Sequence, residues 1–152
     1  MSTTKQKILD VSKELFNEHG YGQVTIRMNL NYHFKKREEI LEYLYFEMVF
    51  DFDQRIETLS EIEISFTQIR NDIQDSMERM LNYKFIWTDL FNILQSNDKI
   101  RAHFNKVNPK RISGNVFLFD QLQKMQFMRI ANFQNEYEML AERMVNFGDT
   151  WI

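Results

Sequence analysis

Apolar residues recur at intervals of three and four along most of the chain, the spacing that places them on one face of an α-helix. In the first such stretch, Ile8, Val11, Leu15 and Phe16 form the predicted buried stripe. Further amphipathic segments are predicted at residues 37–59, 65–81, 85–96, 98–107, 116–128 and 136–147. The predicted apolar face of segment 37–59 consists of Ile40, Leu41, Leu44, Tyr45, Met48, Phe52 and Ile56, and that of segment 136–147 of Tyr137, Leu140, Ala141, Met144 and Val145. The pattern therefore predicts an all-α fold.

Local signals predict where several of these helices begin. Thr3 or Thr4 can cap the first helix, and Gly20 suits its C-terminal end, where a positive φ is often needed. Ser65 and Asp98 are the predicted N-caps of two later helices.

The single proline predicts the end of one helix. Pro109 lacks a backbone N–H, and its ring clashes with the preceding turn, so the helix that begins near Asp98 should end by residue 107. Residues 148–152 are predicted to begin one more helix.

Composition narrows the class of protein. The 152 residues include 4 Gly, 1 Pro and no Cys, so disulfides, Cys-based zinc sites and a thiol nucleophile are excluded. No apolar run reaches the roughly 18 residues of a membrane span. The polar, amphipathic start MSTTKQKILDVSKELF is unlike a secretory signal. We therefore expect a cytoplasmic protein without a membrane segment.

Charge is unevenly distributed along the chain. The net charge is −3, but residues 1–37 hold seven Lys and Arg against three acidic residues, a net of +4, which leaves −7 for the remainder. A basic N-terminal part of an acidic protein can bind a polyanion. A solvated charged surface is the alternative interpretation of the same asymmetry.

The most informative stretch is LNYHFKKREEI at residues 30–40. Phe34 is its apolar anchor, and three cations follow it beside Tyr32 and His33, which can donate hydrogen bonds to phosphate. Glu38 and Glu39 suit the first turn of the next helix. A basic, aromatic-flanked corner between two helices is typical of proteins that hold a nucleic-acid backbone. A solvated inter-helix loop is the alternative.

Three motifs in the first 45 residues resemble the head of the TetR family of bacterial transcriptional regulators. They are ILDVSKELFNEHGY at residues 8–21, VTIR at 24–27 and LNYHFKKREEIL at 30–41, and they occur in the family's order. The resemblance implies a three-helix DNA-binding head with a helix-turn-helix, an all-helical domain that binds a small effector, and a homodimer.

The sequence departs from the family between Thr25 and Phe34, where family members have roughly ten more residues, including most of the second helix and the start of the recognition helix. Either the head is truly incomplete, or residues between Met28 and Asn29 are missing from the printed sequence. We favour the second, because the motifs on both sides are intact. The α-carbons of these two residues should then lie well beyond the ~3.8 Å of bonded neighbours.

By this resemblance, residues 1–45 form the DNA-binding domain and residues 46–152 the effector-binding and dimerisation domain. The segments around 116–130 and 136–152 would pair across a twofold axis, so that two heads reach two half-sites of a double-stranded DNA operator. DNA contacts are expected from the second helix, from two asparagines that can reach bases or phosphates, and from the basic corner. These residues are Thr25, Arg27, Asn29, Asn31, Tyr32, His33, Lys35, Lys36 and Arg37.

The second half of the chain is rich in Phe and Met. Such residues can line an apolar effector pocket, although an ordinary helical core would have the same composition. Trp87 and Phe91, four residues apart on one predicted helix, are the first candidates, together with Phe104 and Phe117. His103 and Asn92 are candidate polar groups in the pocket.

Nothing in the sequence indicates an enzyme, a metal site or a cofactor. The three His residues lack metal-ligand spacing, and there is no glycine-rich phosphate loop or G-x-S-x-G motif. The sequence therefore predicts a homodimeric TetR-type regulator, a repressor that a small apolar effector releases from its operator. The alternative is a helical ligand-binding or interaction protein with an incomplete DNA-binding head.

Overall fold

The computed structural model describes residues 3–24, 34–58 and 65–150, without the side chains of residues 51–58. Every regular element in these ranges is an α-helix, which confirms the predicted fold class. The helices are α1 (Thr4–His19), α2 (Arg37–Thr58), α3 (Phe66–Asn82), α4 (Lys84–Thr88), α5 (Leu90–Ser96), α6 (Asp98–Lys124) and α7 (Glu136–Thr150). The predicted second helix of the head and the Met28–Asn29 junction lie outside the described residues.

The predicted caps of α1 and α3 are confirmed. The side-chain oxygen of Thr3 accepts a hydrogen bond from the Gln6 backbone N–H, and Ser65 does the same for Gln68, each at 3.2 Å. Gly20 has a φ of 83°, and its N–H donates to the Phe16 carbonyl at 2.9 Å. These local signals therefore place α1 and α3 as predicted.

The buried face of α1 is rotated from the predicted one. Leu9, Ser12 and Phe16 are its buried residues, whereas Val11 and Leu15 are 54% and 38% exposed. The prediction was wrong for Val11 and Leu15, because the face that α1 buries is decided by its contacts with α2 and α4.

The main hydrophobic core joins α1, α2, α4, α5 and the start of α6. Its residues are Leu9, Phe16, Tyr21, Phe34, Ile40, Leu41, Leu44, Tyr45, Met48, Tyr83, Phe85, Ile86, Ile93 and Ile100. The predicted apolar face of α2 is thus confirmed as far as Met48. Because α1 and α2 share this core with the later helices, the N-terminal residues pack directly on the rest of the described fold.

The beginning of α6 is held by Asn97, so the prediction of Asp98 as the cap was wrong. The Oδ1 atom of Asn97 accepts from the Ile100 N–H at 3.0 Å, and its Nδ2 donates to Glu42 on α2 at 3.1 Å. Lys99 donates to the same carboxylate at 2.7 Å. Burial opposes the charged form of Glu42, but the two hydrogen bonds outweigh it and lower its pKa. This link therefore stabilises the fold above the ordinary pKa of a carboxyl and is lost as pH falls through the lowered pKa.

Helix α6 continues through Pro109, contrary to the predicted end at residue 107. The exposed proline removes one backbone hydrogen bond, and the cost of a proline inside a helix is about 3 kcal/mol. Burial on both sides offsets this cost, since Ile100 lies in the main core and Phe119 in a second one.

The second core lies between α6 and α7. It contains Phe119, Tyr137 and Ala141, with Ile112, Val116, Met128 and Ala131 packed against them. Residues 148–150, predicted to begin a new helix, continue α7 instead, because Asp149 on its last turn pairs with Arg111 of α6 at 2.6 Å. Leu140 and Met144, predicted to be buried, lie on the exposed face of α7.

Candidate functional site

The basic corner is partly described by the structure. Phe34 is buried as predicted, and its ring meets that of Tyr43 edge-on at 5.4 Å. Lys5 of α1 lies over the Tyr43 ring at 3.6 Å, a cation–π contact that joins α1 to α2. Six of the predicted DNA-binding residues lie outside the described ranges: Thr25, Arg27, Asn29, Asn31, Tyr32 and His33.

The side chains of Lys35 and Lys36 are exposed at the start of α2. The Lys35 backbone N–H donates to Glu39 at 2.7 Å, which fixes the entry into the helix. Both ammonium groups therefore project from a held backbone, as a phosphate contact requires.

Arg37 has a different environment from the two lysines. Its Nη1 donates to the carbonyls of Tyr21 and Val24 at 3.1 and 3.0 Å, and its guanidinium stacks 4.3 Å from the Tyr21 ring. Burial raises the pKa of Tyr21 and the arginine charge opposes that shift. Arg37 therefore holds the loop after α1 against the first turn of α2.

A second link connects the head to the body. Asn17 on α1 donates to the Asn82 carbonyl at 2.8 Å and accepts from the Phe85 N–H at 3.2 Å. One side chain thus satisfies a carbonyl at the end of α3 and an N–H at the start of α4, where helices leave such groups unpaired. The short turn between these helices is fixed against α1.

A cavity of about 90 Å³ lies between α2, α3, α4, α5 and α6. A single water needs only ~10–15 Å³ on this scale, so the space can hold a small ligand. The residues that line it are mostly apolar, with several polar groups among them. They are Tyr45, Met48, Val49, Ser76, Arg79, Met80, Trp87, Leu90, His103, Phe104, Val107 and Arg111.

Two of the four candidate effector residues line this cavity and two do not. Trp87 and Phe104 are part of its wall. Phe91 is 72% exposed, because the predicted single helix is divided at Asp89 and the face carrying Trp87 does not continue into α5. Phe117 lies further along α6, outside the wall. Binding of an effector by these residues stays a prediction.

The polar groups of the cavity come from distant parts of the sequence. His103 Nδ1 and the Tyr45 hydroxyl are hydrogen-bonded at 3.0 Å. Arg111 makes two hydrogen bonds to the carboxylate of Asp149, at 2.8 and 2.6 Å. His103 was a sequence candidate, but Arg79 and Arg111 were not, since nothing near them in the sequence marks a cavity.

The described residues include neither a metal-binding cluster nor a membrane-spanning helix. No cluster of three or more His, Asp or Glu side chains in residues 3–24, 34–50 and 65–150 could hold a metal ion. None of the seven described helices has the length and apolar character that crossing a bilayer requires.

A sequence model of the family described as TetR, bacterial transcriptional repressor, matches residues 48–152, more than half of the chain. The chain belongs to the TetR family. It is therefore a transcriptional regulator. The matched region begins after the three head motifs, so the assignment rests on different residues from the resemblance noted in the sequence. No curated protein and no solved structure matches the chain.

In this TetR-family protein, α7 has two different faces. Tyr137, Ala141 and Val145 are buried against the rest of the fold. Leu140, Met144 and Phe147 recur at intervals of four and three and are exposed. This apolar stripe lies in one of the two segments predicted to pair in a homodimer.

Proposed function

We propose that this regulator binds a double-stranded DNA operator through its N-terminal head and is released when a small, largely apolar effector enters the cavity. The observation that carries the proposal is that α2 takes part in both sites. Arg37 in its first turn holds the loop after α1, and Tyr45, Met48 and Val49 further along line the cavity. An effector that favours one position of α2 would therefore act on the head as well.

Residues 1–45 form the proposed DNA-binding domain and residues 46–152 the effector-binding and dimerisation domain. Lys35 and Lys36 contact phosphates, together with the six predicted residues at positions 25–33. Arg37 acts as a positioning residue, because its guanidinium is engaged by two backbone carbonyls and the Tyr21 ring. The proposed role is repression in the cytoplasm, and the mechanism includes no catalytic step.

The proposed assembly is a homodimer. The exposed stripe of Leu140, Met144 and Phe147 suits an isologous contact with the same stripe of a second copy. Two heads related by a twofold axis would then reach two half-sites of a palindromic operator. The exposed Phe133, which precedes α7, would lie near the same interface.

Replacing both Lys35 and Lys36 with glutamine is expected to weaken DNA binding and its dependence on salt. A duplex selected from a randomised library by the unaltered protein serves as the probe. The slope of log K against log salt should become shallower by about 1.8, because each phosphate contact contributes about 0.9 to it. Fluorescence anisotropy of the labelled duplex at four salt concentrations measures the slope.

The matched control replaces Lys84 of α4 and Lys106 of α6, two exposed lysines, with glutamine. This variant has the same net charge as the double head variant and should keep the original slope. Equal changes in both variants would mean that only overall charge matters, and the proposed contacts of the basic corner would be rejected.

The alternative function, a helical ligand-binding protein with an incomplete head, is favoured by the short spacing between Thr25 and Phe34. Peptide mapping of the protein expressed from its natural gene separates the two. Trypsin cleaves after Arg27 and Lys35, so the printed sequence yields a peptide of residues 28–35. We expect this peptide to be absent and a longer one to replace it. Finding residues 28–35 as one peptide would support the alternative.

A further inference from the structure

The polar groups that line the cavity are mainly hydrogen-bond donors. Arg79 and Arg111 can only donate, and no acidic side chain among the described residues lines the wall. The Ser76 hydroxyl and the His103 and Tyr45 pair can both donate and accept. The cavity therefore offers an excess of donors and positive charge to whatever it binds.

The two arginines differ in how they are used. Arg111 is neutralised by Asp149, with two hydrogen bonds to the same carboxylate. The Arg79 guanidinium forms no hydrogen bond or ion pair with any described residue. Glu47 on α2 is an acidic residue that could have paired with Arg79, but its carboxylate accepts a hydrogen bond from the Tyr83 hydroxyl at 2.9 Å instead. Arg79 is thus a half-buried cation of the wall whose charge is available to a ligand.

Trp87 contributes its ring to the wall, but its indole N–H is not available to a ligand. Nε1 has no hydrogen-bond partner among the described residues, yet it is closed to a water molecule although Trp87 lines the cavity. Arg79 is therefore the group of the wall that a charged acceptor would meet.

We propose that the effector is an amphipathic acid, a small molecule with an apolar body and one carboxylate. Its carboxylate pairs with Arg79, while its body lies against Met48, Leu90 and Phe104. The inference rests on the proposed function in taking the cavity as the effector site. It adds the chemical class of the effector, since the apolar residues of the wall alone would predict an uncharged molecule.

The test compares matched probes by isothermal titration calorimetry with the full-length protein. Hexanoate, hexan-1-ol and hexylamine share one apolar body, and phenylacetate is the aromatic acid. We expect at least one of the two acids to bind about tenfold or more tightly than the alcohol, since charge-assisted hydrogen bonds are the strong ones. The amine should bind no better than the alcohol. Absence of binding by both acids at millimolar concentration, or equal binding of acid and amine, would overturn the proposal.

Two substitutions locate the carboxylate in the protein. Both are at Arg79: Arg79→Gln removes the cation, and Arg79→Lys keeps a positive charge. Arg79→Gln should weaken binding of the acid about tenfold and leave binding of the alcohol unchanged, whereas Arg79→Lys should retain part of the affinity for the acid. Arg70→Gln, an exposed position on the same helix, is the control and should bind like the unaltered protein. If Arg79→Gln binds the acid as the control does, the proposed contact is wrong.

The same probes, added to the complex with the selected duplex, distinguish failure of the inference from failure of the proposed function. If an acid binds in the cavity but does not change DNA affinity, the effector class stands and the release mechanism fails. If the alcohol or the amine releases DNA and the acids do not, the mechanism stands and the effector class is wrong.

Discussion

Replacing Phe16 with alanine is expected to lower the free energy of unfolding by about 3–5 kcal/mol. Phe16 is fully buried, and its ring contacts those of Tyr21 and Phe85, each with centroids 5.2 Å apart. The substitution would leave a cavity where α1, the loop after it and α4 meet. Urea denaturation followed by circular dichroism measures the loss, at fixed protein concentration because dimerisation would shift the midpoint.

Leu15 is the matched control for this substitution. It adjoins Phe16 in the sequence and was predicted to share its buried stripe, but it is 38% exposed. Leu15→Ala should therefore cost only about 1 kcal/mol, because the side chain is partly exposed and full burial of a leucine contributes about 1.5–3 kcal/mol. A loss at Leu15 as large as that at Phe16 would contradict the orientation of α1 in the structure.

Replacing Asp149 with asparagine is expected to lower the free energy of unfolding by about 3 kcal/mol, because it leaves the charge of a largely buried arginine without its partner. The side chains of Arg111 and Asp149 are 19% and 8% exposed. Asp98→Asn is the control, since its pair with Arg101 is exposed and should contribute about 0.5 kcal/mol or less. The same denaturation experiment measures both variants.

A double variant, Arg111→Met with Asp149→Leu, separates the two contributions to this effect. Apolar residues of similar volume often replace a buried ion pair with little loss of stability. We therefore expect the double variant to be more stable than Asp149→Asn alone. A double variant that is less stable would show that the ion pair itself, and not the unpaired charge, carries the effect.

The features predicted correctly from the sequence are those that neighbouring residues determine. The caps at Thr3 and Ser65 and the start of α2 at Arg37 depend on side chains within one helical turn. The buried face of α2 was predicted because Ile40, Leu41, Leu44, Tyr45 and Met48 recur at helical spacing, although the same helix also exposes Tyr43, Phe46 and Phe50. The resemblance of the head and the family match of the body support one family from separate parts of the chain.

The features that were wrong depend on contacts between distant residues. Pro109 does not end α6, because packing on both sides of it outweighs the lost hydrogen bond. The ion pair between Arg111 and Asp149 extends α7 and joins residues 38 positions apart. Spacing along one helix cannot reveal either effect.

The residues that line the cavity could be predicted only in part, because they too depend on how distant helices pack. Aromatic content pointed to Trp87 and Phe104, which line the wall, but equally to Phe91, which is exposed. The break at Asp89 decides between them, and it follows from how α4 and α5 pack. Arg79 became a candidate only when α3 was placed beside α2 and α6.

The division of the hydrophobic residues into two cores has a consequence for how the protein opens. Among the described helices, α6 alone contributes buried side chains to both cores, Ile100 to one and Phe119 to the other, with Pro109 between them. We expect the smaller core to open at a lower free energy than the main core, because fewer buried side chains stabilise it, and hydrogen exchange measures this difference. The cavity wall includes Val107 and Arg111, on either side of the proline. A ligand bound to both residues would therefore raise the free energy at which the smaller core opens. Amide hydrogens of α7 would then exchange more slowly with the ligand than without it.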